Sequence, residues 1–110
     1  MPMDSAAVAP IFRTLADPTR LELFQRLAAA REITAGALVE GAGVSQPAVS
    51  QHLKALRQAG LVAERREGRH VYYRPDPNGL GPMIDWLSIY GVFWAERFDN
   101  LRTLLREIDP

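Results

Sequence analysis

From Val44 to Ala59 the chain reads VSQPAVSQHLKALRQA, and here residue type and spacing together point to chemistry. Gln46, Ser50, Gln51, Lys54 and Arg57 supply amides, a hydroxyl and cations, with no carboxylate among them. Amide side chains pair with the edge of adenine, and cations with guanine or with phosphate. Such a set suits a polyanion whose base edges are read. Val49, Leu53 and Leu56 recur at i, i+4 and i+7, the apolar stripe of an amphipathic helix. Ser45 is a good N-cap, because its hydroxyl can accept a bond from a first-turn N–H that has no helical partner. Pro47 is tolerated in that turn for the same reason. Gly60 is placed to close the helix. The spacing predicts a helix over about 46–59 with a polar, acid-free outer face.

The flanking segments must position that helix. A first helix is expected over about 4–16, with Val8, Ile11, Phe12 and Leu15 on its apolar side and regular structure beginning at Pro10. Asp17-Pro18 pairs an N-cap acid with proline at the first helical position, so a second helix starts there. It runs to about Ala30 with Leu21, Phe24, Leu27 and Ala28 inward. Thr34 caps a short third helix bearing Leu38 and Val39, which Gly41 and Gly43 end. Residues 43–45 then make a tight turn into the helix at 46–59, the pattern of a helix-turn-helix. Beyond Gly60 the pattern changes to strands, 61–66 and 69–74 around Glu67-Gly68, rich in β-formers in the second arm. Gly68 supplies a positive φ at the tip, with Arg66 and Arg69 bracketing it. A hairpin in this position is a wing, over about 61–74.

Pro75-Asp76-Pro77-Asn78-Gly79 is a turn cluster that ends the sheet. A helix over about 82–107 follows, roughly 39 Å long at 1.5 Å per residue. Its apolar set is Met83, Trp86, Leu87, Tyr90, Phe93, Trp94, Phe98, Leu101, Leu105 and Ile108. One short first helix cannot cover that much aromatic surface. We expect it to pair with a second copy through a seam of Ile11, Phe12, Leu15, Trp86, Tyr90, Phe93, Trp94, Phe98 and Leu101. The fold class expected is mainly α with a small β-hairpin, one winged helix-turn-helix domain over 1–110.

Composition bounds the function. The 110 residues include 47% hydrophobic side chains and two Trp, which argues for a folded globule. No cysteine is present, which excludes disulfides and thiolate metal ligands. No apolar run approaches the roughly 20 residues of a membrane helix, and the N-terminus lacks a signal-peptide pattern. A cytoplasmic protein is the expectation. Net charge is zero, but it is unevenly spread. Residues 45–74 carry Lys54, Arg57, Arg65, Arg66, Arg69 and Arg74 against Glu64 and Glu67, a net +4, while residues 1–44 sum to −1 and 75–110 to −3. Local field guides a polyanion more than the total does.

Catalysis is not expected. Ser50 and His52 lie two apart on one helix and point to different sides, so they make no nucleophile–base pair. His52 borders the apolar stripe and reads as a packed residue. His70 on the wing serves equally as a strand residue or a phosphate contact. Zinc needs three or four convergent ligands, and two separated histidines do not supply them.

With these residues in view, the chain resembles the ArsR family of winged-helix transcriptional repressors. The matching stretches are LADPTRLELFQRL (15–27), VSQPAVSQHLKALRQAGLV (44–62) and REGRHVYYR (66–74). The segment DWLSIYGVFWAERFDNLRTLL (85–105) looks like the cysteine-free autorepressor branch of the SdpR type. The resemblance implies a homodimer paired through its first and last helices that binds a palindromic operator in double-stranded DNA and represses transcription. It carries DNA contacts onto Gln46, Pro47, Ser50, Gln51, Lys54, Arg66 and Arg69; the reading of the residues adds Ser45 and Arg57. The family's third-helix metal site uses cysteines, and residues 33–39 have none. Its last-helix site needs Asp and His, and no histidine follows His70. No metal or cofactor is therefore expected. Two other classes stand beside this one: a sensor switched by an unknown small molecule at the dimer seam, and a winged helix serving as a protein-interaction module.

Overall fold

The computed structural model describes residues 5–108. In chain order the elements are α1 (Ser5–Leu15), α2 (Pro18–Ala30), β1 (Ile33–Thr34), α3 (Ala35–Val39), α4 (Gln46–Gln58), β2 (Val62–Glu67), β3 (His70–Pro75), a 3-10 helix (Pro77–Leu80) and α5 (Gly81–Ile108). The expected Asp4 start of the first helix lies outside the described residues.

Local chemistry fixes most of these ends. Asp17 accepts a bond from the Arg20 N–H at 3.0 Å, with Pro18 opening the first turn of α2. Thr34 does the same for α3 through the Ala37 N–H at 3.2 Å. Gly60, at φ +77°, ends α4 in a Schellman motif: its N–H donates to the Arg57 carbonyl and the Leu61 N–H to that of Leu56, each at 3.0 Å. Leu56 and Leu61, the apolar pair that accompanies the motif, are both fully buried.

The core is formed by Ile11 from α1, Leu23, Phe24 and Leu27 from α2, Leu38 from α3, Val49, Leu53 and Leu56 from α4, then Leu61 and Val62. On α2, Leu23 is buried where Leu21 was expected, and Leu21 and Ala28 are exposed. Both leucines fit a helical period with Phe24 and Leu27, and packing against α4 and β3 selects the Leu23 side. The link between α3 and α4 spans residues 40–45, longer than the three-residue turn expected, because Glu40 is already extended at φ −65° and ψ 126°.

The sheet has three strands in the order β1-β3-β2, all antiparallel, where a two-stranded hairpin was expected. Ile33 pairs with Tyr73 and Thr34 with Tyr72, so the chain entering α3 is stitched to the wing. The hairpin closes at Glu67 and His70 around Gly68-Arg69, one residue later than expected. Gly68 has φ +61° and Arg69 a negative φ, the combination of a type II′ turn, whose twist matches the strands. At the base of the wing Gly79 lies so close to Gly60 that an added Cβ would sit 1.6 Å from its carbonyl oxygen. The 3-10 helix is thereby seated against the end of α4.

α5 packs on α1 and on the 3-10 helix. Phe12 meets Trp86 edge-on at 5.3 Å, and Trp86 lies 4.7 Å from Tyr90. The rest of its apolar side faces outward: Leu87, Tyr90, Phe93, Phe98, Leu101 and Leu105 are 42–56% exposed. Ile11, placed on the seam by the sequence, is instead 3% exposed in the protomer's own core, because α1 turns Val8 and Ile11 towards the core and leaves Phe12 outside. Leu15 is half-buried against the same core. The side chain of Trp94 lies outside the described residues.

Candidate nucleic-acid interface

α4 owes its orientation to its own stripe. Val49, Leu53 and Leu56 are at most 3% exposed, which turns the opposite side of the helix to solvent. Ser45, Gln46, Pro47, Ser50, Gln51, Lys54 and Arg57 are all exposed there. Gln46, Ser50, Lys54 and Arg57 follow one another at helical spacing along a single face. The Ser45 hydroxyl accepts from the Ala48 N–H at 3.3 Å, so its oxygen is engaged in capping and only its outer side is open to a ligand. His52 is half-buried, with Nδ1 enclosed and without a hydrogen-bond partner among the described residues.

The end of α3, which leads into α4, is held from behind by Arg26 of α2. Its guanidinium donates to the carbonyls of Leu38 at 2.8 Å, Ala37 at 2.9 Å and Glu40 at 3.0 Å. These groups end α3, where backbone carbonyls lack helical partners and a cation suits the helix dipole. The path of the chain into α4 is set by this clamp.

The wing carries Arg66 and Arg69, both exposed at its end. Its cations are not all free. Glu64 holds Arg57 at 2.6 Å and Arg66 at 3.4 Å, and the Tyr73 hydroxyl, on the strand opposite, reaches the same carboxylate. Burial pushes the Glu64 carboxyl up, but Arg57, Arg66 and Tyr73 together bring it below its ordinary value. Tyr73 itself is raised, by burial first and by Glu64 next. On the other face Arg65 stacks on Tyr72 at 4.4 Å, reaches Glu67 at 2.6 Å and makes a two-bonded pair with Glu32 at 2.7 and 3.2 Å. That pair lowers the Glu32 carboxyl. Lys54, Arg69 and Arg74 form no ion pair among the described residues. The positive charge that presents itself is thus smaller than the residue tally of 45–74 suggests.

Sequence reasoning missed Glu64 and Arg26 as parts of this surface. Alternation along β2 places Glu64 and Arg66 on one face, a usable signal. The Arg26 clamp spans 11–14 residues and left none. Among the described residues no three His, Asp or Glu side chains gather as metal ligands would, and no helix is long and apolar enough to cross a membrane.

Known proteins share this arrangement. A family model described as a helix-turn-helix domain matches residues 15–65. The transcriptional repressor SdpR of Bacillus subtilis is 32% identical over 77 residues, which are 70% of this chain and 84% of that protein. The HTH-type transcriptional regulator KmtR of Mycobacterium tuberculosis is 46% identical over 89 residues, 81% of this chain but 65% of that longer protein. Among solved structures, an ArsR-like transcriptional regulator from Rhodococcus sp. RHA1 superposes with a TM-score of 0.69 at 31% identity, covering 90% of this chain and 92% of its own. With a winged helix-turn-helix whose outer helix face is acid-free, and with a repressor matched over 84% of its length among its relatives, the chain belongs to the ArsR family of DNA-binding transcriptional repressors, a family of regulators rather than enzymes.

Proposed function

We propose that the protein is a cytoplasmic homodimer that represses transcription by occupying an inverted-repeat operator, with residues 1–110 acting as one winged helix-turn-helix domain. α4 lies in the major groove, where Gln46, Ser50 and Gln51 meet base edges and Lys54 meets phosphate or guanine. Ser45 and Pro47 approach the backbone at the start of the helix, and Arg57, Arg66 and Arg69 contact phosphates beside it.

The observation that carries the dimer is the outward apolar face of α5. Its exposed aromatic and aliphatic side chains run for several turns, more contiguous apolar surface than a soluble monomer usually shows. A two-fold pairing of α5, flanked by Phe12 of α1, covers that face with a copy of itself. The same axis sets the two recognition helices about 34 Å apart, one turn of duplex.

Sedimentation of Phe98→Arg tests the pairing, because the charge would have to enter the seam without a partner. The expected result is a folded monomer with much weaker hold on a palindrome, since linking two modules raises the effective concentration at the second half-site. A folded monomeric variant that grips the palindrome as the natural protein does would refute the proposal.

A further inference from the structure

We propose that Glu64 is a specificity-determining residue that works by restraint: its carboxylate competes with DNA phosphate for Arg57 and Arg66, and so weakens binding to DNA that is not operator. The inference rests on the reading of α4 and the wing as the DNA-facing surface. Arg57 lies in the last turn of α4 and Arg66 near the end of the wing, and one carboxylate joins them, at 2.6 Å and 3.4 Å. Glu64 is itself well covered, with 19% of its side chain exposed, while the arginines are 51% and 76% exposed. The acid is thus a fixed group and the guanidiniums are its mobile partners. Tyr73 of β3 lies directly across the sheet from Glu64.

The consequence is electrostatic. Non-specific affinity comes from cations that displace counterions condensed on the phosphates. A guanidinium already neutralised by Glu64 gains little on meeting a phosphate, because it exchanges one anion for another. The carboxylate also repels the backbone it faces. On the operator, base contacts from α4 hold the protein in a register where the exchange is worth making. On random duplex nothing offsets it. Glu64 therefore lowers random binding more than operator binding.

Glu64→Gln removes the charge and keeps the size, and its one amide oxygen can accept from only one of the two arginines, which bind different oxygens of the carboxylate. Fluorescence anisotropy with a random duplex and with the protein's selected operator, each over a range of salt, reads the effect. For random DNA we expect roughly threefold to tenfold tighter binding at low salt, the scale of one or two exposed ion pairs released. The slope of log affinity against log salt should steepen by about 0.9, because one carboxylate charge is removed from between the two guanidiniums. Operator affinity should rise less, so the ratio of the two falls. Glu64→Asp, which keeps the charge, should leave the slope unchanged, and thermal unfolding of both variants confirms that they are folded.

If Glu64 only props the wing against α4, folded Glu64→Gln binds the operator more weakly with an unaltered slope, and the proposal is overturned. An unchanged random affinity overturns it as well. Failure of the natural protein to bind any duplex with salt dependence would instead refute the placement of α4 and the wing on DNA, a separate outcome visible before any variant is made.

Discussion

Replacing Arg26 by alanine should loosen the helix-turn-helix more than the removal of any single exposed side chain. The guanidinium donates to three carbonyls, two of them part-buried and one exposed. A hydrogen bond from a charged donor contributes about 1.5–3 kcal/mol net, and leaving a buried acceptor without a partner adds its own cost. Taking the low end for the Leu38 and Ala37 carbonyls, nothing for that of Glu40, and allowing water to reach part of the exposed end, the loss is about 2–3 kcal/mol. In a chain of this size that shifts Tm by on the order of 10 °C. Urea unfolding followed by circular dichroism gives the free energy, and the slope m should not change, because the same surface is exposed on unfolding. Arg26→Lys should recover less than half, since an ammonium cannot span three acceptors with a planar fork. Hydrogen exchange should locate the loss in α3 and the start of α4. A cost below about 0.5 kcal/mol, the range of ordinary surface substitutions, would refute the reasoning, as would full rescue by lysine.

Gly79→Ala should be among the most damaging single changes, because its Cβ would meet the Gly60 carbonyl at 1.6 Å; the expected readout is a loss of several kcal/mol in urea unfolding. Asp17, Glu32 and Glu64 are held below their ordinary values in the fold, by the Arg20 N–H, by Arg65, and by Arg57 with Arg66 and Tyr73 against burial. Their contribution is therefore full above the ordinary carboxylate range and is lost as pH falls through the lowered folded values. Urea midpoints followed into acid should decline there, and less steeply in Glu32→Gln. Gln51→Ala should cost about 1–3 kcal/mol on the operator and relax preference at one base per half-site, whereas Arg69→Ala should weaken all duplexes alike and lower the salt slope by about one. Unaltered base preference in Gln51→Ala would remove that residue from the readout.

The helices and the wing were legible in the sequence because their signals are local. Asp17-Pro18, Thr34, Ser45 and Gly60 each mark an end that depends on neighbours within a turn, and the Val49–Leu53–Leu56 stripe orients α4 without help from elsewhere. β1 was not legible: two residues show no alternation, and Ile33 and Thr34 are strand only because Tyr73 and Tyr72 lie beside them. Leu21 and Leu23 fit the helical period equally well, so only the packed neighbours choose between them. Ile11 was assigned to the seam for a similar reason, since an apolar stripe does not say which of its members face the protomer's own core. Pairing of charges was the largest gap. Arg65 and Glu32 are 33 positions apart, and a tally of charges along the chain counts both as free.

Every apolar side chain that is buried outright among the described residues lies before Ala63; α5 supplies only Met83 to the margin of that core. The half proposed to face DNA and the helix proposed to pair thus share little buried core, joined mainly through α1, the 3-10 helix and Met83. Substitutions on the outer side of α5 can accumulate without disturbing α4, and those on α4 without disturbing α5. On the proposed pairing, a genome that duplicates such a gene could insulate the two copies by divergence along α5 alone, keeping each from forming mixed pairs, while α4 of each copy drifts at its own pace.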